Sequence, residues 1–150
     1  MKLQRTCALV IGSIFLILGI AGFIPAFTTI PGAGFDSGIP LDADGIYAKG
    51  FSLLFGVFPT NLMHNIFHVL VGTLGIVAAK TGKARLFNQV FGVSYLAIMV
   101  GGTLPLIKTM FGIMPIFGNN IWLNGLTGAI ATYYGFFGQN QDALSNEPSA

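Results

Sequence analysis

The placement of charge constrains this chain more than any other feature. Four stretches carry no formal charge at all: residues 6–35, 50–79, 86–107 and 109–141. Each exceeds the roughly 20 residues that a helix needs to cross a hydrocarbon core about 30 Å thick. Charged side chains make up 8% of the 150 residues, whereas a soluble surface calls for about 25–35%. That excludes a free-standing soluble globule. Hydrophobic residues at 53% also exclude a disordered chain, which needs low hydrophobicity and high charge.

Trimming the four stretches at their Gly, Pro and Asn signals predicts spans at 7–24, 61–79, 86–107 and 119–138. Helices are expected, because backbone groups in lipid must be satisfied within their own segment. A β-barrel would alternate apolar and polar residues, and the run IGSIFLILGIAGFI does not. The expected fold is an all-α integral membrane protein. With the N-terminus inside, the inner loops collect Lys2, Arg5, Lys80, Lys83 and Arg85, and the outer ones only Lys49 and Lys108. That asymmetry places both termini in the cytoplasm. The first span has an apolar run longer than a signal-peptide core and no A-x-A site after it, so it reads as retained. The net charge of +2 is spread over loops and gives no clustered basic face for nucleic acid.

The spans repeat. A shift of 80 residues lays span one on span three without gaps, matching Arg5 with Arg85, Val10 with Val90, Gly12 with Gly92, Leu16 with Leu96, Gly22 with Gly102 and Pro25 with Pro105. A shift of 56 lays span two on span four, matching Phe55-Gly56 with Phe111-Gly112, Pro59 with Pro115, Leu70 with Leu126 and Gly72 with Gly128. Two helical hairpins with the same in–out–in path form a parallel repeat, related by an axis along the membrane normal. Small residues on the helices (Gly12, Gly19 and Gly22; Gly72, Gly75 and Ala79; Gly125, Gly128, Thr132 and Gly135) supply the close backbone approach that drives packing in lipid. The expected product is a left-handed four-helix bundle.

The first outer loop, 27–45, is rich in Gly and Pro and reads as irregular. Its Asp42-x-Asp44-Gly45 lacks the further ligands and the distal Glu of a calcium loop, so it reads as a solvated turn. Apolar residues then recur at helical spacing over 46–58, which predicts a short amphipathic helix at the outer interface. Residues 139–150 read as a polar cytoplasmic tail. Cys7 is the single cysteine, so no intramolecular disulfide forms. Trp122 and the pair Tyr133 and Tyr134 fit interfacial aromatic belts at the two ends of span four.

The residues that point toward function are Asn61, His64, Asn65 and His68. Their spacing of three and four places them along one side of the second helix, with His64 roughly 5 Å and His68 roughly 10 Å below Asn61. The repeat sets Asn120 against His64 and Asn124 against His68, which predicts a polar cluster shared by helices two and four. Polar side chains within a span face the bundle interior and are functional by default. Three readings stand open. The cluster is interhelical glue; or His64 or His68 binds a cofactor such as a haem, a chlorophyll or a metal; or small solutes or protons move along it. No carboxylate or thiolate lies near to complete a zinc site, so no metal set is assigned. No nucleophile–base pair emerges, so no catalytic residue is assigned.

The pattern Asn61-x-x-His64-Asn65-x-x-His68-x-x-x-Gly72-x-x-Gly75, preceded by Leu53-Leu54-x-Gly56-x-Phe58, resembles the bacterial membrane family DUF4383, a domain of unknown function. The resemblance implies four spans and a bacterial cytoplasmic or thylakoid membrane. Members often carry an Asp and a further His on the fourth helix, where this chain has Asn120 and Asn124. The sequence thus points to a multi-span protein, non-enzymatic, acting as a structural or accessory subunit. Its partners are the bilayer and other membrane subunits or a second copy of itself, and no resident cofactor is assigned.

Overall fold

The computed structural model describes residues 2–30 and 51–138. Four long helices dominate it: α1 (Lys2–Ala21), α2 (Leu62–Lys80), α3 (Ala84–Thr103) and α4 (Asn119–Phe136). The helices α1, α2 and α3 are each long and apolar enough to cross a membrane. The fourth, α4, is less apolar, because three asparagines and two threonines interrupt its 18 residues. The helix ends follow local chemistry. Asn61 caps α2, its side-chain oxygen accepting from the His64 amide at 2.9 Å, and Lys80 lies in its last turn, where a cation suits the helix dipole. The third helix stops at Thr103 instead of running to 107, because Pro105 forces Leu104 into an extended conformation.

Helix α1 lies along α2, and α3 lies along α4. Glycines set both contacts. Gly72 on α2 sits directly against the backbone of Leu16 and the Gly12 carbonyl, and Gly128 on α4 sits against Leu96 and the Gly92 carbonyl. A Cβ at Gly72 would lie 2.7 Å from the Gly12 oxygen, and one at Gly128 3.2 Å from the Gly92 oxygen. The two helix pairs meet across an aromatic core. Phe15, fully buried, meets Phe91 and Tyr95 edge-on with ring centroids 5.3 and 5.1 Å away, and Phe91 and Tyr95 stack at 3.9 Å. Toward the N-terminus of α1 the Asn88 amide donates to the Gln4 carbonyl across the pairs at 2.9 Å, and within the α3–α4 pair Gln89 donates to the Gly135 carbonyl at 3.0 Å.

The opposite end, at the N-termini of α2 and α4, departs from the expectation. The predicted interfacial helix over 46–58 does not form in its described part. Instead β1 (Thr28–Thr29), β2 (Ser52–Leu54) and β3 (Phe58–Thr60) make a three-stranded antiparallel sheet in that order. Leu53 pairs with Thr29 on one side and Pro59 on the other. The reason lies in the turn: Phe55 (φ 53°) and Gly56 (φ 69°) are both left-handed, which reverses a strand and breaks a right-handed helix. Residues 46–50, the Asp42-x-Asp44-Gly45 turn and the tail at 139–150 lie outside the described residues.

Candidate functional site

A group of buried polar side chains gathers where the N-termini of α2 and α4 meet the loops after α1 and α3. Asn61, His64, Asn65, His68, Asn120 and Asn124 are all less than one-tenth exposed. They divide into three groups.

Asn61 and Asn120 bind loop backbone. The Asn61 amide donates to the Ile113 carbonyl at 2.8 Å. The Asn120 amide donates to the carbonyls of Pro59 at 2.7 Å and Pro115 at 3.0 Å. Asn119, at the exposed edge, donates to Val57 at 3.1 Å.

Asn65 turns away from the rest. Its oxygen accepts from the Thr60 hydroxyl, and its carboxamide packs against Gly22, just beyond the end of α1, where no side chain would fit. The cause is helical geometry. One residue is about 100° of rotation, so Asn65 faces α1 while His64 and His68 face inward.

His64, His68 and Asn124 surround a cavity of about 200 Å³, with Tyr95 of α3 and apolar walls that include Met110, Met114 and Ile116. The two imidazoles meet Nε2 to Nε2 at 2.8 Å, so one donates and the other accepts. The His68 ring also meets Phe15 edge-on at 4.8 Å. His64 Nδ1 is buried without a well-aligned hydrogen bond, and the Pro115 backbone lies within reach of the ring. The Asn124 amide and the Tyr95 hydroxyl line the cavity and have no protein hydrogen-bond partner among the described residues. Buried polar groups are normally paired, so these groups have donor and acceptor capacity left for something in the cavity. Among the described residues no three His, Cys, Asp or Glu side chains come together as a metal set.

This arrangement sits within one continuous match: the family model described as Domain of unknown function (DUF4383) covers residues 5–137. The chain belongs to the DUF4383 family. No curated protein and no solved structure matches it. In this DUF4383 chain the sequence pattern picked out the histidines and asparagines but missed Tyr95, Met110 and Met114. Tyr95 had a usable signal: the shift of 80 sets it against Phe15, a hydroxyl where the matched position carries hydrogen. The methionines lie in the irregular segment after α3, where no period reports which way a side chain faces.

Proposed function

We propose that this DUF4383 protein is a non-enzymatic bundle of four membrane spans, built from two tandem helical hairpins, that serves as an accessory subunit in a bacterial membrane with both termini cytoplasmic. The observation that carries this reading is the reciprocal clasp at the outer end. Asn61 of the first hairpin binds the second loop at Ile113, and Asn119 and Asn120 of the second hairpin bind the first loop at Val57 and Pro59. These polar side chains are spent on holding the halves together. Glue of this kind suits a rigid scaffold.

The repeat is supported contact by contact. Applying shifts of 80 and 56 to the Gly72 contacts with Gly12 and Leu16 yields the Gly128 contacts with Gly92 and Leu96. The same shift carries the left-handed pair Phe55 and Gly56 onto Phe111 (φ 57°) and Gly112 (φ 84°). It carries the turn bonds Gly56 N to Leu53 O and Val57 N to Leu54 O onto Gly112 N to Thr109 O and Ile113 N to Met110 O. Val69 and Gly19 exchange roles with Gly125 and Met99, so each crossing keeps one glycine.

Purification from native membranes in mild detergent tests the accessory role. A higher-order species or a stoichiometric membrane partner is expected. A partnerless monomer with robust turnover overturns it.

A second reading has its own observation. The cavity at His64, His68, Tyr95 and Asn124 keeps unspent hydrogen-bonding groups, which favours a small neutral ligand bound there. Its size argues against a haem or chlorophyll, whose macrocycle needs far more than about 200 Å³. So does the mutual engagement of the two Nε2 atoms, the nitrogens an axial ligand would use. Permeation between the hairpins has the least support, because Phe15, Phe91 and Tyr95 fill the centre.

A further inference from the structure

The His68 cavity adjoins a second space at Tyr95. An apolar groove of about 340 Å³ runs between α2 and α3, and Val71 and Tyr95 line both spaces. The groove continues inward past Leu74, Val90 and Leu86 toward Lys83. Leu74, Leu86 and Val90 are each more than half exposed, so at membrane depth the groove opens to lipid. From His64 to Ala78 the combined path extends roughly 20 Å along α2. One end is small and uncharged, with His64, His68, Tyr95 and Asn124 set in a mainly apolar wall. The other is long, narrow and apolar.

The molecule supplies an internal comparison. A second groove, of about 380 Å³, lies between α4 and α1. Shifts of 56 and 80 carry Val71, Leu74, Leu86 and Val90 onto Thr127, Ile130, Thr6 and Val10, all of which line it. This second groove shares no lining residue with the polar cavity. The two sides differ chemically at the head. Asn120 and Asn124 replace the two histidines, and the fully buried Phe15 replaces Tyr95. The repeat therefore keeps two grooves, and only the α2–α3 groove adjoins the cavity lined by His64, His68 and Asn124.

From this we infer that the α2–α3 groove and the His68 cavity together bind an isoprenoid quinone, its ring among His64, His68, Tyr95 and Asn124 and its tail along the groove. The inference deepens the ligand-binding reading above and rests on it. Four features select this class. The head space has no formal charge, which disfavours a phospholipid headgroup, since burying an unpaired ion is costly. Asn124 and Tyr95 present donors suited to ring carbonyls. The remaining head walls are apolar, including Ile98, Met110, Met114 and Ile116, and suit a flat ring. The adjoining groove is apolar along its length and reaches the lipid.

The test uses the full-length protein in nanodiscs with three probes: a decyl-substituted benzoquinone, the tailless tetramethylbenzoquinone, and decanol. Saturable binding of the decyl quinone is expected. Asn124→Leu and Tyr95→Phe should each weaken it about tenfold, the scale of one buried hydrogen bond. Leu74→Trp, which fills the groove, should weaken the decyl quinone and spare the tailless one. Ile130→Trp, at the equivalent site of the other groove, should change neither. Circular dichroism and monodispersity establish that each variant folds. Equal quinone binding by wild type and Asn124→Leu overturns the proposal, as does decanol competing on equal terms with the quinone. Mass spectrometry of molecules retained from native membranes separates the two levels. A different neutral amphiphile, lost in Asn124→Leu, removes the quinone and keeps the ligand-binding reading. Nothing retained, with no saturable probe, removes both.

Discussion

Asn119 and Asn120 are neighbours with opposite energetic weight. Asn120 is 1% exposed and serves two proline carbonyls, whereas Asn119 is exposed and serves one. Asn120→Leu should leave two buried acceptors unpaired and cost about 1–3 kcal/mol, while Asn119→Leu should cost little. Thermal unfolding in detergent separates them, and equal losses would contradict the clasp. Gly72 and Gly128 differ in degree. A Cβ at Gly72 meets the Leu16 backbone and lies 2.7 Å from the Gly12 oxygen. At Gly128 the nearest atoms lie at 3.0 and 3.2 Å. Gly72→Ala should therefore cost about 1–3 kcal/mol through overpacking, and Gly128→Ala measurably less, in the same unfolding assay. Residue by residue, the polar site was only partly legible in the sequence. Spacing places Asn61, His64, Asn65 and His68 on one side of α2, yet that side is wide enough to touch both α1 and the cavity. Asn65 goes to the former because Gly22 leaves room for it there.

At the scale of elements, the helices were readable and the sheet was not. Helices announce themselves through charge-free length, and their ends through Asn61, Gly82, Pro105 and Gly118. The sheet is built from strands of two and three residues, too short for alternation to register against a background of apolar spacing. Its real signature is the turn, where Phe55-Gly56 adopts a backbone hand that glycine tolerates and β-branched residues do not. Gly56→Val should therefore loosen β2 and β3, and Gly112→Val the equivalent turn after α3. Hydrogen exchange should speed up at the Val57 amide in the first variant and at the Ile113 amide in the second, because each donates across its turn. Exchange unchanged at both would show that the turns do not depend on the left-handed glycine.

For the whole molecule, the distribution of contacts predicts how it comes apart. Each hairpin holds itself together along the full length of its two helices, through backbone-to-backbone glycine crossings. Between the two helix pairs the joint is an aromatic centre with the polar clasp at one end and the Gln4–Asn88 bond at the other. The link between hairpins is the short turn at Thr81–Lys83, where Gly82 (φ 77°) has nothing within 4 Å of a built Cβ. Nothing packs on Gly82, so cutting after it should remove chain connectivity and the Lys83 N to Ala78 O bond across the turn. In the two-hairpin reading, residues 1–82 and 83–150 expressed together as separate chains should each insert with the same orientation and co-purify as one complex. The joint, not the link, then sets their affinity. Adding Asn61→Leu and Asn120→Leu, one in each half, should release the clasp from both sides and split the complex at detergent concentrations the unmodified halves survive. Halves that never associate would mean that the hairpins need the turn to find each other. Halves that stay joined without the two asparagines would place the binding energy in the aromatic centre.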